Sequence, residues 1–276
     1  MIRVLYHGNC YDGFTAAWAA WRKLGDGAEY LPVGYGQPFP MFPLLDTAAV
    51  YILDFSYPRD MLEELHAKLE LVPGAILRVL DHHKTAESDL SGLPFCTFDM
   101  KKSGASLAWK FFHPGEPTPP VVAYAEDRDL WRFKLPESRE ISAWMRSWPF
   151  TFQAWDEIHE RLSDDDSFSA VGSEGAAILR FQSQMVEMMC GQAVMRDVGG
   201  YSVPVANATV FFSEVGEALC IKRPDAPFAA YYLDRADGKR QWGLRSRNGF
   251  DVSAVAKGLG GGGHAAAAGF TEVVAS

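Results

Sequence analysis

Four short stretches place imidazole and carboxylate side chains at the ends of apolar runs. His7 and Asp12 lie in HGNCYDG, Asp54 closes VYIL, Asp81, His82 and His83 follow RVL, and Asp127 and Asp129 sit in EDRD. Aspartate and histidine without a thiolate pattern form a donor set suited to Mn²⁺ or Mg²⁺ more than to structural zinc, although imidazole also admits other divalent ions. Two such ions about 3.5–4 Å apart can share a carboxylate, lower the pKa of a bound water and grip both oxygens of a phosphoryl displacement. Each fragment alone has a plainer reading. A single aspartate after a strand caps a helix or turn, Asp127 and Asp129 could be a solvated helix face, and His82 and His83 an exposed turn. Their recurrence after successive apolar runs favours a metal site. His66 on a charged helix, His113 before a proline and His159 among acids read as surface residues.

A second group lies near the C-terminus. WGLRSR contains Arg245 and Ser246, Asp251 is placed to cap a short helix, and Gly260–Gly263 precede His264 in GGGGHAAAAGF. Consecutive glycines permit positive φ and let backbone N–H groups approach an anion. Arg245 can offer a planar fork to a phosphate and His264 a further donor. A four-glycine run alone is more often a flexible loop, and His264 with the small-residue helix expected after it shifts the reading toward a phosphate cradle.

These groups need elements to position them. Apolar runs at 2–6, 50–53 and 75–80 alternate with helix-like segments at 15–23, 60–71 and 103–112, the pattern of a parallel, doubly wound α/β sheet. Ligands of such sheets lie beyond the carboxyl ends of the strands, where His7, Asp54 and Asp81–His83 fall. A proline-rich turn (HPGEPTPP) leads to a helix at 121–129, and 137–195 reads as mostly helical with a polar loop near 163–167. After Tyr201 come short strand-like runs at 202–206, 218–221, 228–233 and 241–245, so a smaller α+β domain is expected. Residues 151–190 hold 2 basic and 8 acidic side chains against 8 and 5 in 221–276, which places a boundary near 190–200.

The 276 residues suffice for two cored domains. A net charge of −9 argues against a duplex-DNA reader but not against a small phosphorylated substrate. No apolar run approaches the ~18 residues of a membrane span, and MIRVLYHG lacks the regions of a signal peptide. The 4 cysteines (Cys10, Cys96, Cys190, Cys220) form no CxxC pair, so neither a disulfide framework nor a zinc knuckle is expected, and a reducing cytoplasm fits.

DHH at 81–83 together with GGGGHAAAAGF resembles the DHH phosphoesterase superfamily, in the branch with the DHH-associated C-terminal domain. The resemblance runs through nearly the whole chain, with the four N-terminal motifs and the C-terminal motif in order, and its plan is similar to the short nanoRNase and oligoribonuclease members. It implies a DHH catalytic domain at 1–135, a helical connector at 136–198, a substrate-binding domain at 199–276 and an active site in the cleft between domains. It implies His7, Asp12, Asp54, His82 and Asp127 as ligands of two ions, Mn²⁺ first, with Asp54 bridging and Asp129 the substitute for Asp127. Asp81 would orient a histidine and His83 face the substrate phosphate. Arg245, Ser246, His264 and the Gly261, Gly262 and Gly263 backbone would hold a phosphate or chain terminus, with Ser103 and Gly104 lining the cleft.

The implied activity is two-metal hydrolysis of short oligonucleotides, with no membrane or duplex-DNA partner and the oligomeric state open. The alternatives are a small-nucleotide phosphatase, a cyclic (di)nucleotide phosphodiesterase and a nucleotide sensor that does not hydrolyse. One departure bears on the last. The family's first motif carries two aspartates two positions apart, whereas Asp12 stands alone here behind Asn9, Cys10 and Tyr11. Asn9 or Cys10 is then a candidate replacement ligand. Trp131 and Phe133 offer rings either to a base or to the core.

Overall fold

Residues 49–53 (AVYIL) are buried throughout, as expected of a strand covered on both faces. Its neighbours behave alike, and together they build the first of two compact units into which the chain divides at residues 179/180. The structure, a computed structural model, describes residues 1–274.

In the first unit, β1 (Ile2–His7) leads to α1 (Tyr11–Leu24), β2 (Ala28–Val33), β3 (Ala49–Leu53), α2 (Arg59–Glu70), β4 (Ile76–Asp81), α3 (Lys84–Leu90) and β5 (Cys96–Phe98). Then come α4 (Gly104–Phe112), α5 (Pro120–Asp129), α6 (Ser138–Met145), α7 (Phe152–Ser163) and the start of α8 (Asp165–Cys190), within which the division between units falls. The sheet is parallel, in the order β2-β1-β3-β4-β5. Side chains alternate between two cores: Val4, Tyr51 and Leu53 pack with α1, α4, α5 and α7, while Leu5, Val50, Ile52 and Val79 pack with α2. The chain goes outward from β1 to β2 and back to β3 on the other side. The ends of β1 and β3 therefore flank a switch point, where the crevice of such a sheet opens.

The second unit carries β6 (Val194–Val198), β7 (Tyr201–Asn207), α9 (Phe212–Lys222), β8 (Ala229–Asp234), β9 (Lys239–Arg245), α10 (Val252–Gly258), β10 (Gly262–His264) and β11 (Ala267–Val273). Its strands form a mixed sheet, β10-β11-β9-β8-β7-β6, with β7 and β8 the parallel pair. Its cores gather Val203, Phe228, Leu244 and Val252 on one side and Val215, Leu219 and Ala229 on the other.

The α/β class and most first-unit elements match the sequence reading. Three of the differences have a clear physical reason. β2 was not among the expected runs: AEYLPV alternates little and carries a proline, which an edge strand tolerates. Residues 218–221 are helix rather than strand: they continue α9, whose buried Val215 and Leu219 are spaced by four, a period that a four-residue window hides. HAAAAG forms no helix. His264 pairs with Ala267 across a two-residue turn, because six residues cannot offset helix nucleation. His113 is buried rather than on the surface, stacked on Trp109 with its Nε2 2.9 Å from the Ala19 carbonyl. Among the described residues no helix is long and apolar enough to cross a membrane.

Candidate metal centre

His7 ends β1, Asp54 follows β3, and Asp81, at the end of β4, is followed by His82 and His83. The carboxyl ends of three adjacent strands thus deliver these side chains to one crevice. Asp54 is 1% exposed and sits at φ 55°, a left-handed conformation that costs an aspartate about 1–2 kcal/mol. From there its Oδ1 is 3.1 Å from His82 Nε2 and its Oδ2 3.4 Å from His7 Nδ1.

Asp12 arrives from the first turn of α1, which closes on β1 because residue 13 is glycine. A Cβ there would overlap the His7 carbonyl oxygen and stand 2.7 Å from His7 Cβ. The buried Asp12 carboxylate accepts from Gly104 N at 2.5 Å and Ala105 N at 3.0 Å, at the N-terminus of α4. There the helix dipole and unpaired N–H groups favour an anion. Ser103 caps that helix, accepting from Ser106 N. Gly104 is obligatory, since a Cβ would overlap Asp54 Cβ and lie 2.8 Å from Asp54 Cγ and Oδ1. Ser103 and Gly104 are buried behind the carboxylates. His82 Nε2 lies 3.6 Å from Asp12 Oδ2 and 3.5 Å from Asp129 Oδ2.

Asp81, fully buried, arranges the next two residues. Its Oδ1 accepts from His82 N at 2.7 Å and contacts His83 Nδ1 at 2.6 Å, while Oδ2 accepts from Ser56 Oγ at 2.6 Å. The histidine that Asp81 orients is His83.

The charges respond to this crowding. Burial and the Asp54 and Asp129 charges raise Asp12 well above the usual carboxylate range. Burial also opposes ionisation of Asp54, but hydrogen bonds from His7 and His82 outweigh it and hold that carboxyl well below its usual range. Burial pulls His82 down, and Asp54, Asp129 and Asp12 overcome it, taking it up to about 11. His7 and His83 are raised in the same way, by Asp54 and Asp81 respectively. Burial raises Asp129 too, with His82 pulling the other way.

Two groups of three donors share Asp54: Asp12, Asp54 and His82, and His7, Asp54 and His83, each with donor atoms within 4.8 Å of one another. Oxygen and imidazole donors converging on a shared carboxylate fit a pair of divalent cations in type and number.

Asp127 does not join them. Its carboxylate accepts from Lys134 N, Leu135 N and Ser138 Oγ at 2.5–3.1 Å, tying down the segment after α5. Asp129, two positions along the same helix, faces the cluster instead. EDRD could not decide between them, because α5 buries both Glu126 and Asp127 and lacks a clear polar face. Cys10 does reach the cluster, its thiol 3.6 Å from Asp54 Oδ2, and burial with the Asp54 charge raises it well above its usual value. The thiol donates a hydrogen bond to that carboxylate. Asn9 is exposed at φ 54°. Ser56 carried no signal in the sequence.

In the second unit, the ladder registers Arg245 opposite Ala267 and Ala267 opposite His264. Paired residues share a sheet face, so Arg245 and His264 flank a small alanine in one row. Arg245 Nη2 donates to Ser213 Oγ at 2.5 Å. The buried Ser246 hydroxyl is engaged within its own turn, donating to the Phe250 carbonyl at 2.6 Å. Asp251 caps α10 as expected, accepting from Ser253 N at 3.0 Å. Gly262 and Gly263 are strand residues, and at Gly261 a Cβ would overlap the Gly269 carbonyl oxygen. Close strand packing thus accounts for part of the glycine run.

No family model matches the chain. It is 29% identical over 287 aligned positions to an uncharacterized protein of Acanthamoeba polyphaga mimivirus, covering 96% of this chain and 66% of that protein's length. Solved structures similar to it include an uncharacterized protein from Helicobacter pylori (14% identity, 99% and 93% of the two chains, TM-score 0.48). RecJ from Thermus thermophilus in complex with Mn²⁺ is another (19% identity, 98% and 49%, TM-score 0.47). A third is the pGpG-specific phosphodiesterase PggH from Vibrio cholerae (11% identity, 99% and 94%, TM-score 0.44).

Proposed function

We propose that the chain is a metal-dependent phosphoesterase of the DHH superfamily with the DHH-associated C-terminal domain, and that it hydrolyses short oligonucleotides. The observation that carries this reading is the pair of donor triads sharing buried Asp54. Asp12, Asp54 and His82 would hold one divalent cation, joined by Asp129 in place of Asp127. His7 and Asp54 would hold a second, with His83 beside it. When bound, such ions supply Lewis acidity and an activated water at neutral pH.

The chain's own residues do the rest. Asp81 fixes the His83 ring through Nδ1, leaving Nε2 as the atom available to a phosphate oxygen. The N-terminus of α4 neutralises part of the carboxylate charge that would otherwise repel an anionic substrate. Arg245 and His264, in one row of the second sheet, supply a fork and a further donor for a phosphate. A row of two donors suits a few phosphates and not a long backbone track.

The test is a time course on labelled RNA of two to five nucleotides beside one long strand, in Mn²⁺ and in chelator, with D54A as control. Loss of the short species only, abolished by chelator and by the substitution, is expected. Absence of cleavage of any strand in Mn²⁺ would overturn the oligonucleotide assignment and turn attention to small nucleotides.

A further inference from the structure

Immediately beyond Asp129 the backbone does something costly twice. Trp131 and Phe133 both stand in the left-handed region, at φ 54° and 48°, where bulky L-residues are rare. Asp127 enforces the turn: its carbonyl accepts from Arg132 N at 2.8 Å, and its carboxylate takes Lys134 N and Leu135 N. Strain of this kind persists where the surroundings over-determine it and gathers at functional sites.

The rings it positions do not serve the fold in the usual way. Neither belongs to any of the hydrophobic cores, and both are only partly buried. They meet edge to face with centroids 4.9 Å apart. Arg128 places its guanidinium 5.7 Å from the Trp131 ring centre, and Arg139 places its own 3.9 Å from that of Phe133. Two rings, each attended by a guanidinium, begin two residues after a carboxylate that lies 3.5 Å from His82 Nε2. Aromatic faces interleaved with arginine are the chemistry that holds single-stranded nucleic acid, the rings taking bases and the cations the backbone.

We propose that Trp131 and Phe133, with Arg128 and Arg139, form a stacking platform for a nucleobase next to the scissile phosphate. The proposal rests on the oligonucleotide reading of the metal centre and adds how a substrate is gripped. Stacking engages the flat face common to all bases, so the platform tolerates any base and rejects a sugar-phosphate lacking one.

Glycine is the informative substitution, because it removes the ring and relieves the left-handed strain, so W131G and F133G retain the fold. Filter binding in Ca²⁺ would compare a ³²P-labelled dinucleotide with the same dinucleotide bearing an abasic sugar, on wild type, W131G, F133G and W131F. Hydrolysis of both ligands in Mn²⁺ runs in parallel. We expect W131G to weaken the base-bearing ligand by about 5–100-fold, leave the abasic ligand unmoved and keep the wild-type melting temperature, with W131F retaining most of the binding. Equal loss for both ligands, or no preference for the base in wild type, overturns the platform. Base-dependent binding without hydrolysis in Mn²⁺ supports the platform while removing the hydrolase reading. Hydrolysis of both ligands with equal KM does the reverse.

Discussion

Gly104→Ala adds one methyl group at the most crowded point of the site. Its Cβ would lie 2.8 Å from Asp54 Cγ and Oδ1 and overlap Asp54 Cβ. Carbon contacts settle near 3.5–4.0 Å, so Asp54 or the first turn of α4 must move by about 1 Å. Neither can do so freely. Asp54 is 1% exposed and held by His7 and His82, and Gly104 N and Ala105 N are donated to Asp12. Overpacking costs about 1–3 kcal/mol, and disrupting one charged hydrogen bond adds about 1.5–3 kcal/mol. For a unit of this size that corresponds to a melting temperature lower by about 5–24 °C. Misplacing Asp54 also disturbs both donor triads, so the stabilisation by Mn²⁺, about 2.7 kcal/mol at one hundred times the dissociation constant, should shrink or vanish. Calorimetry with and without Mn²⁺ measures both effects, with Gly27→Ala, where a Cβ meets nothing within 4 Å, as the neutral control. If G104A melts with G27A and responds equally to Mn²⁺, the packing argument fails and Asp54 is not held as described.

Asp127 and Asp129 should separate cleanly. D127A loses the acceptor for two backbone N–H groups and Ser138, costing about 2–4 kcal/mol with Mn²⁺ stoichiometry intact, whereas D129A lowers Mn²⁺ affinity with little loss of stability; metal analysis beside urea melts reads both. D81N replaces the anionic partner of His83 Nδ1 with a neutral amide and should cut turnover by about 10–100-fold, with the His83 ring titrating at lower pH by NMR because the Asp81 charge that raised it is gone. His159 is held below its usual range by burial and by Arg22, so the unfolded chain binds its proton more readily. Stability is then lost as pH falls from about 6.5 through the folded value, and H159Q should flatten the difference between urea midpoints at pH 7 and pH 5. Identical slopes for the two proteins would show that His159 is not the source.

The parallel sheet was legible because β1, β3 and β4 are mostly apolar runs, broken only by Arg3 and Arg78, each with its site residues at or just after its carboxyl end. His7, Asp54 and Asp81–His83 could be located for that reason. Which of Asp127 and Asp129 turns inward depends on how α5 rolls against α4 and α6, and its own residues give no polar stripe to reveal it. Ser56 was invisible because its role exists only through its contact with Asp81, 25 positions away. The alanine run misled through propensity: alanine favours helix, but register with β11 and β9 decides the outcome. Asp12 stood out through its motif, but its partner at a helix terminus 92 positions distant lay beyond any local reading.

That helix terminus bears on how the protein is made. A knot of acidic side chains that needs a cation to neutralise it leaves a newly synthesised chain unfolded until the ion is captured, and vulnerable to proteases meanwhile. Here α4 supplies two N–H groups to Asp12, and His7 and His82 supply charge to Asp54, from within the chain itself. Maturation can then run in sequence, polypeptide first and ion afterwards. On the metal-dependent reading proposed above, a cell short of the divalent ion would accumulate a folded, dormant pool ready for loading, and a chelator would silence the protein without destroying it.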